Sequence, residues 1–121
     1  MPMIMKDQER ARRAYGLVTN VEDKQDDYKI AMNGLGANII RLGLSAALAE
    51  LQRRGGKGGD QALDHLAAVL NEVNLPGLGN ALKRDNLVNR INRLGAQDYM
   101  LVTRELMAQI SWFRRAMQAI F

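Results

Sequence analysis

Residue types that could carry out catalysis are scarce in this chain of 121 residues, which has two serines, one histidine and no cysteine. Ser45 and Ser111 lie in helical patterns rather than at the strand-to-helix turn that presents a nucleophilic serine, and nothing in the sequence links either of them to His65. No set of carboxylates and histidine has the spacing of a metal site. This inventory predicts a protein that is not an enzyme and needs no metal or other cofactor.

Two glycine-rich stretches resemble nucleotide-binding motifs but lack the required context. In Gly55-Gly56-Lys57-Gly58-Gly59 no serine or threonine follows the lysine and no strand precedes it, so we interpret this stretch as a flexible surface linker. In the second stretch, Gly77-Leu78-Gly79, the position of a third glycine is occupied by Leu82, and again no strand leads in. Neither stretch predicts a phosphate site.

The sequence predicts that a second helix begins with Tyr28 to Asn33, and that Gly34 and Gly36 bend it or separate it from the helix that follows. A cluster of acidic residues precedes Tyr28, and its members are Glu22, Asp23, Asp26 and Asp27. Carboxylates at the start of a helix are favourable because they complement the helix dipole. A metal site is the alternative, but no histidine accompanies these residues. We therefore expect the cluster to be solvated.

Basic residues are the remaining candidates for function. The net charge is 17 − 13 = +4 and the pI is about 9.8, which permits nucleic-acid binding without establishing it. The basic residues fall chiefly at outward helical positions, and Arg41 lies in a polar gap of the predicted buried helix. The prediction for contacts with an RNA backbone comprises Arg41, Lys83, Arg90, Arg93, Arg104 and Arg115. A merely solvated basic face is the alternative. Aromatic residues make up only 5% of the chain, which argues against base stacking as a main theme.

The elements that must position these residues are helices. The stretch from Leu35 to Leu51 is apolar nearly all the way round and predicts a buried central helix, in which Gly36 and Gly43 mark a kink or a close helix crossing. It is too polar to span a bilayer comfortably, and the start of the chain lacks the pattern of a secretory signal, so we expect a cytoplasmic protein.

Further helical patterns surround the central one. The first runs from Met5 to about Asn20, with Lys6, Arg10 and Arg13 opposite its apolar stripe and Glu9 placed to pair with Arg13. Another begins at Asp60 as N-cap and runs to about Asn74, with His65 facing solvent. A short helix capped by Asn80 or Asp85 ends at Leu94 with Gly95 as its terminator, and the last runs from Gln97 to the end.

No stretch alternates with period two, so the sequence predicts an all-α fold, a compact bundle of five or six helices forming a single domain over residues 1–121. Trp112 lies at the edge of the apolar stripe of the last helix. It is either a partly buried core residue or an anchor for a neighbouring subunit.

Three segments in order along the chain carry a resemblance to a known family. The first consists of Gln8, Arg10, Ala11, Ala14 and Tyr15. The second consists of Tyr28, Leu35, Ile39, Ile40 and the Gly43-Leu44 pair, and the third of Tyr99, Thr103, Glu105 and Trp112-Phe113-Arg114-Arg115. Taken together, they resemble the small subunit of type III-B CRISPR RNA-guided effector complexes (the Cmr-type small subunit). Two positions depart from the pattern, since Gly36 stands where proline is expected and Ala116 where a larger apolar residue is usual.

The resemblance implies an all-helical, non-catalytic protein that stacks in several copies beside the other subunits of the complex and contacts target RNA paired to the guide. Cleavage and signalling would belong to other subunits. Two other classes remain open at this point, a helical adaptor that binds only protein and a stand-alone nucleic-acid-binding helical protein. The family's RNA contacts are basic in character rather than fixed in motif, so the candidate residues above come from helical periodicity alone.

Overall fold

A computed structural model describes residues 6–23 and 25–121. The described residues form six helices and no strand, which confirms the predicted all-α class. The helices are α1 (Lys6–Thr19), α2 (Gln25–Leu42), α3 (Leu44–Arg54), α4 (Gly56–Val73), α5 (Leu87–Asn92) and α6 (Ala96–Ile120). The predicted start of the first helix at Met5 lies outside the described residues. None of these helices is long and apolar enough to cross a membrane.

The longest helix, α6, organises the packing. The predicted apolar stripe of α6 is buried at Val102, Leu106, Ile110, Phe113 and Met117, because these residues recur every three or four positions on one side of the helix. At the ends of the stripe Tyr99 is half-buried and Ile120 is 39% exposed. This side packs against α1 and α2, while α4 covers α2 from another direction. Helix α3 joins α2 to α4, and α5 packs against α3. The core therefore lies between α2, α4 and α6, and no other described helix covers the outer side of α6.

The predicted central helix is two helices rather than one. Gly43 separates α2 from α3 with a φ of 90°, a conformation that residues with side chains rarely adopt. The backbone N–H of Ser45, which the break leaves without a partner in α2, donates to the hydroxyl of Tyr99 at 2.9 Å. The expectation of burial all round is also wrong, since Ile40 is 78% exposed and Leu42 is half exposed. Only one face of α2 packs into the core.

The glycine-rich stretch is helical and packed, not a flexible linker. Helix α4 begins at Gly56, and Gly58 and Gly59 are buried. A Cβ atom at position 58 would lie 2.4 Å from the backbone carbon of Asp27, so only glycine lets the start of α4 approach the start of α2 this closely. Asp60 is consequently inside the helix rather than its N-cap, and its carboxylate pairs with Arg84 at 3.2 Å.

The caps predicted for the short helix are also wrong. Helix α5 begins after Asn86, whose side-chain oxygen accepts the backbone N–H of Lys83 at 2.8 Å, so neither Asn80 nor Asp85 is the cap. Gly95 has extended backbone angles and begins α6 instead of terminating α5. The last helix starts one residue before the predicted Gln97 and ends as expected.

Candidate nucleic-acid interface

Five arginines are neutralised by carboxylates within the fold. Arg10 pairs with Asp7 and Glu105, Arg13 with Glu9 and Glu72, Arg53 and Arg54 with Glu50, and Arg84 with Asp60 and Asp64. The predicted pair of Glu9 and Arg13 is confirmed at 3.5 Å. These ion pairs tie α1 to α4 and α6 and tie α4 to the segment before α5.

The pair of Arg10 and Glu105 is the most enclosed of them, with side chains 17% and 14% exposed. Two nitrogens of the guanidinium donate to the two carboxylate oxygens at 2.9 Å each, and the amide of Gln109 donates to Glu105 at 2.8 Å. Burial alone would raise the pKa of Glu105, but the hydrogen bonds from Arg10 and Gln109 more than offset it, so that this pKa lies below its ordinary value. Arg10 was predicted to lie opposite the apolar stripe, yet it joins α1 to α6.

The six residues predicted to contact RNA differ from these five, because none of them forms an ion pair with a described residue. Arg104 and Arg115 are exposed on the same outer side of α6, about three turns or 16 Å apart at roughly 1.5 Å per residue. Arg41 is exposed at the end of α2 and donates only to the side chain of Asn38 at 2.9 Å. The carbon of the Arg115 guanidinium lies 4.7 Å from the ring centre of Trp112.

The other three cations surround α5, which packs against α3. Lys83 and Arg93 are exposed, whereas Arg90 is half-buried and donates to the carbonyl oxygen of Leu78 at 3.0 Å. Arg104 and Arg115 thus share one helix, while Lys83, Arg90 and Arg93 belong to a separate group. Arg90 has an internal structural contact that helical phase did not reveal.

The segment before α5 is held in place by side-chain amides. The side chain of Asn71 on α4 accepts the backbone N–H of Leu82 at 2.8 Å and donates to its carbonyl at 3.0 Å. The amide of Asn86 donates to the carbonyl of Ala81 at 3.1 Å. Lys83 therefore projects from a fixed backbone, because Leu82 before it is bonded to α4 and its own N–H donates to the side chain of Asn86.

Sequence reasoning missed Lys29 and Arg114, which are also exposed and form no ion pair with a described residue. They lie on α2 and α6, the helices that carry Arg41, Arg104 and Arg115, and these two helices pack together. A simple signal was available in the sequence. No acidic residue occurs from 28 to 49, and between 99 and 121 the only one is Glu105, which is used internally.

Trp112 is half-buried and packs against the core from the side of α6 that faces the start of α1. Its indole N–H points to a carboxylate oxygen of Asp7 at 3.4 Å. The ring is thus held between Asp7 on one helix and Arg115 on its own. Part of it remains accessible to a neighbouring molecule.

His65 does not face solvent as predicted. Its Nδ1 lies 2.7 Å from the hydroxyl of Tyr28, and its ring stacks on Phe113 with centres 6.0 Å apart. Burial lowers the pKa of His65 to about 4, so the ring is neutral near pH 7, and burial also raises the pKa of the Tyr28 hydroxyl. This pair joins α2 to α4 inside the bundle. Among the described residues, no group of three or more histidine, cysteine, aspartate or glutamate side chains could hold a metal ion.

Comparisons with known proteins agree on one family. The family model described as CRISPR-associated protein (Cas_Cmr5) matches residues 6–120. The Cmr subunit Cmr5 of the CRISPR system of Thermotoga maritima is 30% identical over an alignment of 111 residues that covers 88% of this chain and 78% of that protein. A crystal structure of a CRISPR-associated Cmr5 family protein from Thermus thermophilus matches 97% of this chain and 98% of its own, with a TM-score of 0.81 and 24% identity. At that identity the structural match shows the fold.

Proposed function

Because this chain belongs to the Cmr5 family of CRISPR-associated proteins, and so to the subunits of type III-B CRISPR complexes, we propose that it is a non-catalytic subunit that contacts RNA. In this proposal it stacks in several copies in the cytoplasm beside the other subunits and holds target RNA paired to the guide. The copies and the RNA duplex are its partners, and it uses no cofactor. Other subunits would carry out the chemistry.

One observation carries the proposal of RNA contact, namely the distribution of unpaired cations. Arg41, Arg104 and Arg115 are exposed on α2 and α6 and form no ion pair with any residue in the described ranges 6–23 and 25–121. Cations that are not neutralised within the protein are available to replace the counterions of a phosphate backbone. Lys29 and Arg114 extend the same pair of helices, and we add them to the proposed surface.

The chemistry of this surface favours backbone contact over sequence readout. Arginine on a rigid helix positions its guanidinium for bidentate bonds to phosphate oxygens, which are the same for every base. Paired RNA presents its phosphates and 2′-hydroxyls more readily than its base edges. We therefore expect binding that depends on the shape and charge of the duplex and is indifferent to its sequence.

The test is the salt dependence of RNA affinity in the assembled complex. The Arg104→Ala, Arg115→Ala double variant should weaken binding equally for unrelated RNA sequences. It should also reduce the slope of log affinity against log salt by about one for each phosphate that a copy no longer neutralises. Arg12→Ala is the matched control, because Arg12 is an exposed cation on α1 that lines a groove with Ala68 and Glu72 of α4. An unchanged slope in the double variant would remove this surface from the proposal.

A protein-only adaptor is the second candidate, and it is favoured by the exposed apolar residues of α2, chiefly Ile30 and Ile40. In that case the cations of α6 would only keep the outer surface solvated. The same experiment separates the two functions, since an adaptor would show equal RNA affinity and equal slope for the wild type and the double variant.

A further inference from the structure

Helix α2 has an outer apolar face in addition to the one that builds the core. Ile30 and Ile40 are 72% and 78% exposed, and Asn33 and Ala37 between them are also exposed. The residues 30, 33, 37 and 40 alternate in steps of three and four, which is the spacing of a seam that packs against another helix. No described element covers this face.

A row of charge runs beside this seam. Asp27, Gly34 and Arg41 follow one another at intervals of seven residues, so they lie along one side of the seam. Neither Asp27 nor Arg41 forms an ion pair with a described residue. The row thus begins with a carboxylate, ends with a guanidinium and has no side chain at its centre. It is complementary to itself when one copy is reversed.

The structure leaves room for a helix along this row. A groove of about 390 Å³ runs between α2 and α3, and its lining includes Ile30, Gly34, Ala47 and Leu51. A Cβ atom added at Gly34 would meet nothing within 4 Å. The charged residues of the α3 wall, Glu50 and Arg54, pair with each other at 2.9 Å, so they do not repel a helix of either polarity.

We propose that two copies of the free chain pair through antiparallel α2 helices. In this arrangement Ile30 packs against Ile40 of the second copy, and Asn33 packs against Ala37 of the second copy. Both pairs fit one antiparallel register, because a step of three residues forward along one helix matches a step of three residues backward along the other. Asp27 then lies near Arg41 of the second copy, and the reverse pair forms by symmetry. The contact is isologous, so it closes as a dimer and does not extend. The two helix dipoles also run in opposite directions, which is favourable.

Such a dimer would compete with the RNA contact proposed for Arg41. The guanidinium cannot face a carboxylate of the second copy and a phosphate at the same time. One helix face is a small interface by the standard of stable complexes, so the pairing should be weak and depend on protein concentration. The free chain would then keep part of its basic surface occupied until it is taken up by RNA or by other subunits.

Cysteine cross-linking tests the orientation, and the absence of natural cysteines gives it a clean background. Asn33→Cys and Ala37→Cys chains are mixed and oxidised without RNA, and we expect a disulfide dimer that contains one chain of each kind. Each variant alone should cross-link poorly. Ala119→Cys, at an exposed position near the end of α6, is the control partner and should not react with Ala37→Cys. Strong cross-linking within each single variant, or none in the mixture, would overturn antiparallel pairing.

A charge exchange tests the same contact without new cysteines. Sedimentation at low salt should show that Arg41→Asp weakens the dimer at least several-fold and that Asp27→Arg added to it restores association. Arg12→Asp makes the same charge change on α1 and should leave the dimer intact. A wild type that sediments as a monomer at every concentration, or a double variant that stays dissociated while its circular dichroism is normal, would contradict the proposal. Both tests omit RNA, so their result is separate from the fate of the RNA contact.

Discussion

The inner and outer sides of this bundle use polar residues in different ways. On the inner side, Arg10 shares Glu105 with Gln109, and His65 is hydrogen-bonded to Tyr28. On the outer side of α6, Arg104 and Arg115 meet no carboxylate among the described residues. The chain distributes its thirteen acidic residues unevenly, so a modest net charge of +4 is consistent with a strongly basic local surface. Net charge alone would not have located that surface.

The largest expected effect compares two neighbouring residues, Glu105 and Arg104. Glu105→Ala should lower the free energy of unfolding by about 2–3 kcal/mol, because the enclosed guanidinium of Arg10 loses two hydrogen bonds and keeps only the exposed carboxylate of Asp7 as a partner. Arg104→Ala should cost less than about 0.5 kcal/mol, since it is an exposed substitution without such a contact. Chemical denaturation of both variants gives the comparison directly. Equal costs would erase the distinction between inner and outer charges.

Acid should weaken the inner side before it alters the outer one. The pKa of His65 is lowered by burial to about 4, below the ordinary value of 6.5, so between these values the unfolded chain binds the proton more readily. Stability should therefore fall as the pH drops from about 6.5 towards 4, with a limiting slope of about 1.4 kcal/mol per pH unit for one proton.

The His65→Asn variant isolates that effect. It should be less stable at pH 7, because it loses the imidazole ring that stacks on Phe113 and is hydrogen-bonded to the hydroxyl of Tyr28. Its stability should nevertheless vary less between pH 6.5 and 5 than that of the wild type. A pH dependence identical to that of the wild type would assign the acid sensitivity to carboxylates and not to His65.

Arg90 and Arg93 lie within one helical turn of each other, and they allow an internally bonded arginine to be compared with an exposed one. Arg90→Ala should cost about 1–2 kcal/mol because its hydrogen bond to Leu78 is removed, and it should speed proteolysis of residues 75–86. Arg93→Ala should leave stability unchanged and affect only RNA affinity. If thermal unfolding and limited proteolysis do not distinguish the two variants, Arg90 is free in solution and belongs with the outer cations.

The smallest effect concerns Glu50, which neutralises Arg53 and Arg54 at the end of α3. Glu50→Gln should leave the melting temperature unchanged, because exposed ion pairs contribute little. It releases two cations at a place away from the outer side of α6. If location matters more than the number of free cations, the RNA affinity of the assembled complex should stay nearly constant. A marked increase would mean that any free cation suffices.

Several parts of the fold were predictable because their pattern is long. The stripe of α6 repeats over its whole length, and the helix was predicted to within one residue at its start. The start of α4 was not predictable, since glycine is a poor helix former and its role there depends on contact with α2, which is distant in sequence. The outer face of α2 was wrongly predicted to be buried. Periodicity shows which residues share a face of a helix, but it does not show whether another element packs against that face.

The candidate site was predictable only as a set of outward positions. Helical phase correctly placed Arg104 and Arg115 on the exposed side of α6. It could not reveal that Arg90 reaches the carbonyl of Leu78, because the loop that brings the two together has no periodic pattern. It also passed over Lys29 and Arg114, which the scarcity of acidic residues around them would have indicated. Their function as RNA contacts stays a prediction.

The glycines at the start of α4 are under unequal mutational constraint. At Gly58 every replacement adds a Cβ atom where the backbone of Asp27 already lies, so even alanine should be poorly tolerated. Gly56 has open space around it, and only its φ of 59° limits exchange, which asparagine or aspartate can satisfy. A saturation library of this stretch should thus retain glycine alone at 58 and several residues at 56. Among variants that still fold, the packed glycine at 58 would thus be recognised because it does not vary. The glycine-rich composition of the stretch, taken alone, suggests a flexible linker instead.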